Sequence, residues 1–373
     1  MTRLIRASAS PGEVRIAVTE PALRDYALWR PGAPDGLDDI HRGRVQARVP
    51  AMAGSFVVLA GGAQGFLPDS AATSPPVEGQ MLLLRVTRAP QGGKGVRLSG
   101  DLGDDADPAW RAEGPPALLR PGPGPLLRLA MRHPDAPVLV DDAGLAARLQ
   151  ATLGARVERV AHAFDEATET AVDALAEPVL SLPGGARISI TPTPALTAID
   201  VDAGAESAAA GAKGRMQRAL NRAVLPVLAA QIRLRNLGGA ILIDPAGLSL
   251  AARRALLAPL AALLADDPAR PRLIGLSGLG LIEILRPRGS APLHDLLIGP
   301  HAAGLAGLRT LARAIAAAPA TPAILRAAPA VVAALQRDAV ALEEMAALAG
   351  QRIALRADPA LPAHGWRLEA GHG

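Results

Sequence analysis

Leu196-Thr197-Ala198-Ile199-Asp200 and Ala240-Ile241-Leu242-Ile243-Asp244 are two apolar runs that each end in an aspartate. Runs of this kind read as buried β-strands. Between them, Arg215 to Arg235 has the composition of a single helix of about six turns, closed by the terminator Asn236-Leu237-Gly238-Gly239. Strand, helix and strand form a crossover unit, which sets its two strands parallel and often adjacent. Both aspartates then leave the sheet at its C-terminal edge, where α/β folds build their sites. Two carboxylates there repel each other unless a cation neutralises them. Oxygen ligands suit magnesium, with manganese as the alternative. Asp202 lies two residues further on, on the same face of an extended chain, as a third ligand or a group one step removed from the ion. Spacing alone leaves a second reading open, in which strand-end aspartates only cap helices and turns.

Outward from this core the pattern changes twice. Residues 1 to about 32 read as three strands: Leu4 to Ser8, Val14 to Val18 after a Pro11-Gly12 turn, and Asp25 to Trp29. From Asp39 to Leu102 there are only short strand-like runs divided by glycines, the signature of a small closed barrel. Asp101 to Gly124 is acidic, then proline-rich, and reads as a linker. Beyond it helices and strands alternate, with a strand at Ala136 to Val140 and helices at Leu126 to Arg132, Ala143 to Leu153 and Glu166 to Leu175. The tail from Gly304 reads as two helical stretches around a short strand, Arg352 to Leu355, in segments so alanine-rich that their apolar faces are poorly resolved.

Composition excludes more than it names. The chain of 373 residues has no cysteine, which removes thiol catalysis, disulfides and any Cys-ligated metal, and suits a reducing cytoplasm. The start, Met1 to Arg6, has no long apolar core behind it, so neither a signal peptide nor a membrane partner is expected. The basic residues are almost all arginine, the only lysines being Lys94 and Lys213. Arginine suits phosphate, but GC-biased codon usage is the preferred explanation of the excess. Gly92-Gly93-Lys94-Gly95 has the wrong spacing for a P-loop, Gly275-Leu276-Ser277-Gly278 is no nucleophile elbow, and the seven histidines form no zinc pattern.

Two blocks, Ala195 to Gly204 and Gln231 to Asp244, resemble the catalytic core of the ribonuclease E/G family. Asp39 to Val45, Gln64 to Pro68 and Pro90 to Gly95 resemble that family's S1 RNA-binding insert, and Leu355 to Pro362 the close of its small C-terminal domain. The resemblance implies an α/β multidomain chain with RNase H-like and DNase I-like parts, an inserted S1/OB barrel and a small C-terminal α/β domain. The implied boundaries are 1–38 and 117–176 for the RNase H-like parts, 39–103 for the barrel, 177–290 for the catalytic subdomain and 304–373 for the C-terminal domain. It implies a magnesium-dependent endoribonuclease acting on single-stranded RNA, with Asp200 and Asp244 as its metal-binding pair. The departures are specific. The family usually has asparagine at the position of Asp202 and a further aspartate at that of Gly247. Its zinc-linking Cys-Pro-x-Cys motif corresponds here to Gly299-Pro300-His301-Ala302, so no zinc is expected and His301 reads as a surface-loop residue. Between Leu102 and Pro116 the chain also omits the family's subdomain that senses a 5′-monophosphate end. The tail resembles a dimerisation module, compatible with a homodimer.

Two of the chain's three phenylalanines, Phe56 and Phe66, fall in the expected barrel, where aromatics stack single-stranded bases or fill the core. Lys94, Arg42 and Arg44 are placed to follow phosphates. Arg233 and Arg235, beside the second aspartate strand, are expected either to contact the scissile region or to answer the helix dipole. The leading function is therefore an endoribonuclease. The alternatives are an RNA-binding paralogue with weakened catalysis that acts by occupancy, and an assembly scaffold.

Overall fold

A computed structural model describes residues 2–103, 106–203, 210–319 and 324–369; Met1 and Gly204, both named above, lie outside them. The chain divides into two units. One comprises Met1–Pro34, Gly124–Ala176 and Leu293–Gly373, the other Asp35–Pro123 and Glu177–Pro292.

The second unit holds the aspartate strands. Its strands in chain order are β1 (Ile40–Val49), β2 (Gly54–Val58), β3 (Gln64–Pro68), β4 (Met81–Arg88), β5 (Val96–Ser99), β6 (Ala117–Arg120), β7 (Val179–Ser181), β8 (Arg187–Pro192), β9 (Leu196–Asp202), β10 (Gly239–Asp244), β11 (Arg272–Leu276) and β12 (Ile282–Arg286). Its helices are α1 (Ala210–Leu234), α2 (Leu250–Arg254) and α3 (Leu257–Leu264).

Strands β2-β3-β5-β4-β1 form a five-stranded barrel, closed where β1 returns to pair with β2. Val57, Leu59, Leu67, Leu84, Val86 and Leu98 fill it. Strand β6 pairs with β1 through His41–Leu118 and Arg42–Ala117, so part of the segment read as a linker is an added edge strand. Its short run Ala-Leu-Leu-Arg between prolines and glycines is too brief to show periodicity.

The remaining strands form a sheet in the order β7-β8-β9-β10-β12-β11. Strands β9 and β10 are adjacent and parallel, as the crossover requires. Alternation sends Ile199, Val201, Ile241 and Ile243 to one face, where α1 covers them with Val224, Leu225, Leu228 and Ile232. Each of these buried side chains contributes about 1.5–3 kcal/mol. Helix α1 ends at Asn236, a left-handed residue (φ 48°) whose amide side chain donates to the carbonyls of Ser290 and Ala291.

The first unit contains a five-stranded sheet in the order Val157–Arg159, Val138–Val140, Leu4–Ser10, Glu13–Glu20, Ala22–Trp29. The first three strands are parallel and the last three an antiparallel meander. Glu13 and Arg15 are buried despite lying opposite the apolar face of their strand. Arg30 and Arg309 pair with Glu13, and Glu169 pairs with Arg15. The tail is richer than its sequence suggests: three helices, Pro300–Ala317, Pro329–Gln336 and Ala339–Ala349, pack on a three-stranded sheet of Ile324–Ala327, Ala354–Ala357 and Trp366–Leu368. The strand expected at Arg352 to Leu355 is found at Ala354–Ala357, whereas Ile324–Ala327 and Trp366–Leu368 are too short to be read in advance. His301 stands in the first turn of a helix rather than in a loop, with Nε2 2.9 Å from Asp338 Oδ2. No helix among the described residues is long and apolar enough to cross a membrane.

Candidate active site

Asp200 and Asp244 are register partners on the parallel pair β9–β10. Ile199 and Ile243, also partners, point into the core, so both aspartates leave the opposite face side by side, and both are exposed. They line a cleft of about 330 Å³ together with Asp202, Gln217, the loop Pro245–Gly247 and Arg253.

The loop after β10 is fixed from the helix side. Asn221 of α1, 3% exposed, donates from Nδ2 to the carbonyl of Ala246 at 3.1 Å, and its Oδ1 accepts from the Ala246 amide at 3.1 Å. A second Nδ2 donation, to the Gln217 carbonyl at 2.7 Å, satisfies the buried amide. Gly247 follows in left-handed conformation (φ 56°), and a Cβ there would run into the Gln217 amide. A side chain at 247 therefore needs both a strained backbone and a displaced Gln217.

Two arginines that the sequence does not single out meet the carboxylates. Arg253 donates from Nη1 to Asp244 Oδ1 at 2.8 Å and to the Gly280 carbonyl at 3.0 Å, and from Nε to the Leu248 carbonyl at 3.1 Å. Its side chain is only 15% exposed, so the guanidinium is held in place. On β8, the neighbour of β9, Arg187 Nη2 lies 2.9 Å from Asp202 Oδ2. Asp202 thus shares its carboxylate with a guanidinium.

The other expected residues lie elsewhere. Arg233 and Arg235 sit at the end of α1, beside the edge where β10 begins, and β10 separates them from Asp244 by its six residues, roughly 16 Å at the usual rise. Arg235 is buried and donates Nε to Gln231 Oε1 at 2.7 Å, and burial lowers its pKa from the ordinary value. The structure does not bring these two to the aspartates. Phe56 and Phe66 are register partners on the outer wall of the barrel, half-buried, their rings edge-to-face with centroids 5.6 Å apart. Their neighbours Val57 and Leu67 take the interior. Lys94 is exposed in a turn closed by Gln91, and Arg44 is exposed on β1. Arg42 donates Nε to the Pro115 carbonyl at 2.7 Å, so its guanidinium holds the segment ahead of β6.

Among the described residues no three His, Cys, Asp or Glu side chains converge as a closed metal cage. Two exposed carboxylates are nonetheless a donor set that suits a hydrated magnesium ion, which commonly takes one or two carboxylates and keeps several waters.

Comparison with known proteins bears on this cleft. The Ribonuclease E/G family model matches residues 143–289, a stretch containing Asp200, Asn221, Asp244 and Arg253. Ribonuclease E of Synechocystis sp. is 36% identical over 125 residues, covering 33% of this chain and 18% of the relative. Ribonuclease E of Nostoc sp. is 36% identical over 123 residues, covering 32% and 18%. Ribonuclease E of Buchnera aphidicola is 31% identical over 128 residues, covering 34% and 14%. The matched stretch thus spans less than a fifth of each of these relatives. Over residues 143–289 the chain is similar to the ribonuclease E/G family.

Proposed function

We propose that the protein is a metal-dependent endoribonuclease that cleaves single-stranded RNA. The observation that carries this reading is the in-register pairing of Asp200 with Asp244 at the end of two parallel strands. A magnesium or manganese ion held there would activate water and neutralise charge developing on the phosphate. The chain's own residues do the rest. Asn221 fixes the loop after Asp244, and Arg253 holds Asp244 on one side while placing a positive charge in the cleft. Asp202, paired with Arg187, is an outlying ligand at most.

Further features support the wider reading. The meander followed by two parallel strands in the first unit is the strand order of an RNase H-like sheet, and the closed five-stranded barrel suits an S1-like grip on RNA through Phe56, Phe66 and Lys94. On this reading the chain comprises RNase H-like parts at 1–38 and 117–176, an S1-like barrel at 39–103, a DNase I-like catalytic subdomain at 177–290 and a C-terminal domain at 304–373. It acts in the cytoplasm, and the C-terminal domain serves a homodimer.

Cleavage of a labelled single-stranded RNA with and without magnesium tests the proposal. Metal-dependent cleavage abolished in Asp200→Asn and Asp244→Asn supports it, and activity that survives both substitutions overturns it. A second reading, RNA binding by occupancy with little turnover, is favoured by the arginines on Asp244 and Asp202 and by Gly247. It predicts RNA affinity without metal-dependent cleavage.

A further inference from the structure

The outer wall of the barrel carries a continuous side-chain ladder. Phe56 on β2 is the register partner of Phe66 on β3, Phe66 of Arg97 on β5, and Arg97 of Arg88 on β4. Adjacent strands are about 4.8 Å apart, so the four rungs form a strip roughly 14 Å long, aromatic at one end and cationic at the other. Arg288, from the loop after β12, joins the cationic end and lies within charge range of Arg88.

Three features set this end apart from the chain's many paired arginines. Arg88, Arg97 and Arg288 make no ion pair with any described residue. Arg88 donates Nη2 to the Gly95 carbonyl at 3.1 Å, yet its Nε is buried with no hydrogen-bond partner. Burial first, then the like charges of Arg97 and Arg288, lower its pKa from the ordinary value. Arg288 is also seated on purpose-shaped backbone. A Cβ at Gly238 would come within 2.8 Å of Arg288 Cγ, and one at Gly239 within 2.9 Å of its Nε. Two glycines that read in the sequence only as a helix terminator therefore also make the bed on which this guanidinium lies. Arg97 and Arg288 are exposed, so an anion can reach the three like charges, and its arrival would relieve their repulsion.

We propose that Arg88, Arg97 and Arg288 form a phosphate-binding seam that continues the Phe56–Phe66 platform, so that a single strand of RNA stacks bases on the rings and lays successive phosphodiesters along the arginines. This rests on the RNA-binding reading of the barrel. It adds a polarity to that reading, since the strand is led from the aromatic rungs toward the loop carrying Arg288.

The test is binding of a fluorescein-labelled oligouridylate to the full chain in chelator, so that no cleavage intervenes, measured across a series of salt concentrations. For a single strand, each arginine–phosphate pairing contributes about 0.7 to the slope of log affinity against log salt. The Arg88→Gln, Arg97→Gln and Arg288→Gln triple variant is expected to reduce that slope by about 2. Arg97→Lys is expected to keep it, and Arg337→Gln, an exposed arginine of the other unit, serves as the control. Gly238→Ala is expected to weaken binding by crowding Arg288 with its charge intact. Phe56→Ala and Phe66→Ala are expected to weaken binding at every salt concentration with the slope unchanged. A triple variant with unfolding midpoint and salt slope both equal to the control overturns the seam, while continued sensitivity to the phenylalanines leaves the platform standing. Failure of the unsubstituted chain to bind the oligouridylate overturns the RNA-binding reading itself.

Discussion

Arg253 and Asp244 form a charge-assisted contact of 2.8 Å in which the arginine is the fixed partner, since the backbone carbonyls of Leu248 and Gly280 also accept from its Nε and Nη1. A positive charge is thereby built into the cleft beside the proposed cation site. Arg253→Gln should therefore act in opposite directions on two measurements. Manganese binding, followed by electron paramagnetic resonance, should tighten, because a competing cation has gone. Single-turnover cleavage should slow by roughly 10–100-fold, less than the loss typical of a fully buried electrostatic donor because Asp244 faces solvent. Unchanged manganese affinity would show that Arg253 and the metal do not share Asp244.

Asn221 stands one step back from the proposed cation site. It supplies both partners of the Ala246 backbone from a buried position, so Asn221→Ala leaves an amide and a carbonyl without their hydrogen bonds. A stability loss of about 1–3 kcal/mol is expected in denaturant unfolding. Cleavage should fall through kcat while oligonucleotide affinity in chelator stays at the unsubstituted level. If affinity falls in step with cleavage, Asn221 supports the unit as a whole and not the loop after Asp244.

What can be read from sequence follows from where physical constraint is concentrated. The pairing of Asp200 with Asp244 is legible because a strand–helix–strand crossover has so few solutions. Asn221 leaves a fainter trace: it interrupts the stripe of Val224, Leu225 and Leu228 on α1, at positions that all face the sheet, and a polar residue on such a stripe needs a partner. Arg253 leaves none, because in Leu-Ala-Ala-Arg-Arg either arginine could face the cleft and only the packing of the short helix α2 selects between them. The added strand β6 and the strands Ile324–Ala327 and Trp366–Leu368 near the C-terminus are hidden because runs of three or four residues show no periodicity. The burial of Arg235 is not legible either, because a place at a helix end gives no hint of it.

The sheet that carries the two aspartates depends on a second arginine, on β12. Arg286 meets Asp267 with two bonds, Nε to Oδ2 at 2.7 Å and Nη2 to Oδ1 at 3.1 Å, and both side chains are almost wholly buried. Arg286 also donates Nη1 to Asn236 Oδ1 at 2.8 Å, tying in the end of α1. Removing one partner of such a pair strands the other charge, at a cost of about 3–5 kcal/mol. Asp267→Ala is expected to destabilise the chain by that amount in denaturant unfolding. A loss below about 1 kcal/mol would mean that water reaches Arg286 and replaces the carboxylate.

His133 gives the first unit a pH dependence whose sign is fixed by its neighbours. Its Nδ1 lies 2.9 Å from Arg3 Nη1, which can only donate, so Nδ1 accepts and the ring proton sits on Nε2, 3.3 Å from Asp25 Oδ2. The neutral ring satisfies both contacts, whereas a second proton would point at the Arg3 guanidinium. Burial lowers the His133 pKa below its ordinary 6.5, against the pull of Asp25. The unfolded chain therefore takes up this proton first as pH falls. The stability that His133 contributes is complete above about pH 6.5 and drains away as the pH drops through the lower folded value. The unfolding midpoint should decline between about pH 7 and pH 5.5. His133→Gln can accept from Arg3 and donate to Asp25 but cannot titrate, so it should keep most of the neutral-pH stability and show a flatter decline. Parallel pH profiles for the two proteins would place the acid sensitivity elsewhere, with the carboxyl of Glu169 as the next candidate. Burial raises that carboxyl's pKa, but the hydrogen bond and charge of Arg15 hold it below the ordinary value. Its contribution is lost only at more acid pH, so the two groups separate by where the midpoint begins to fall.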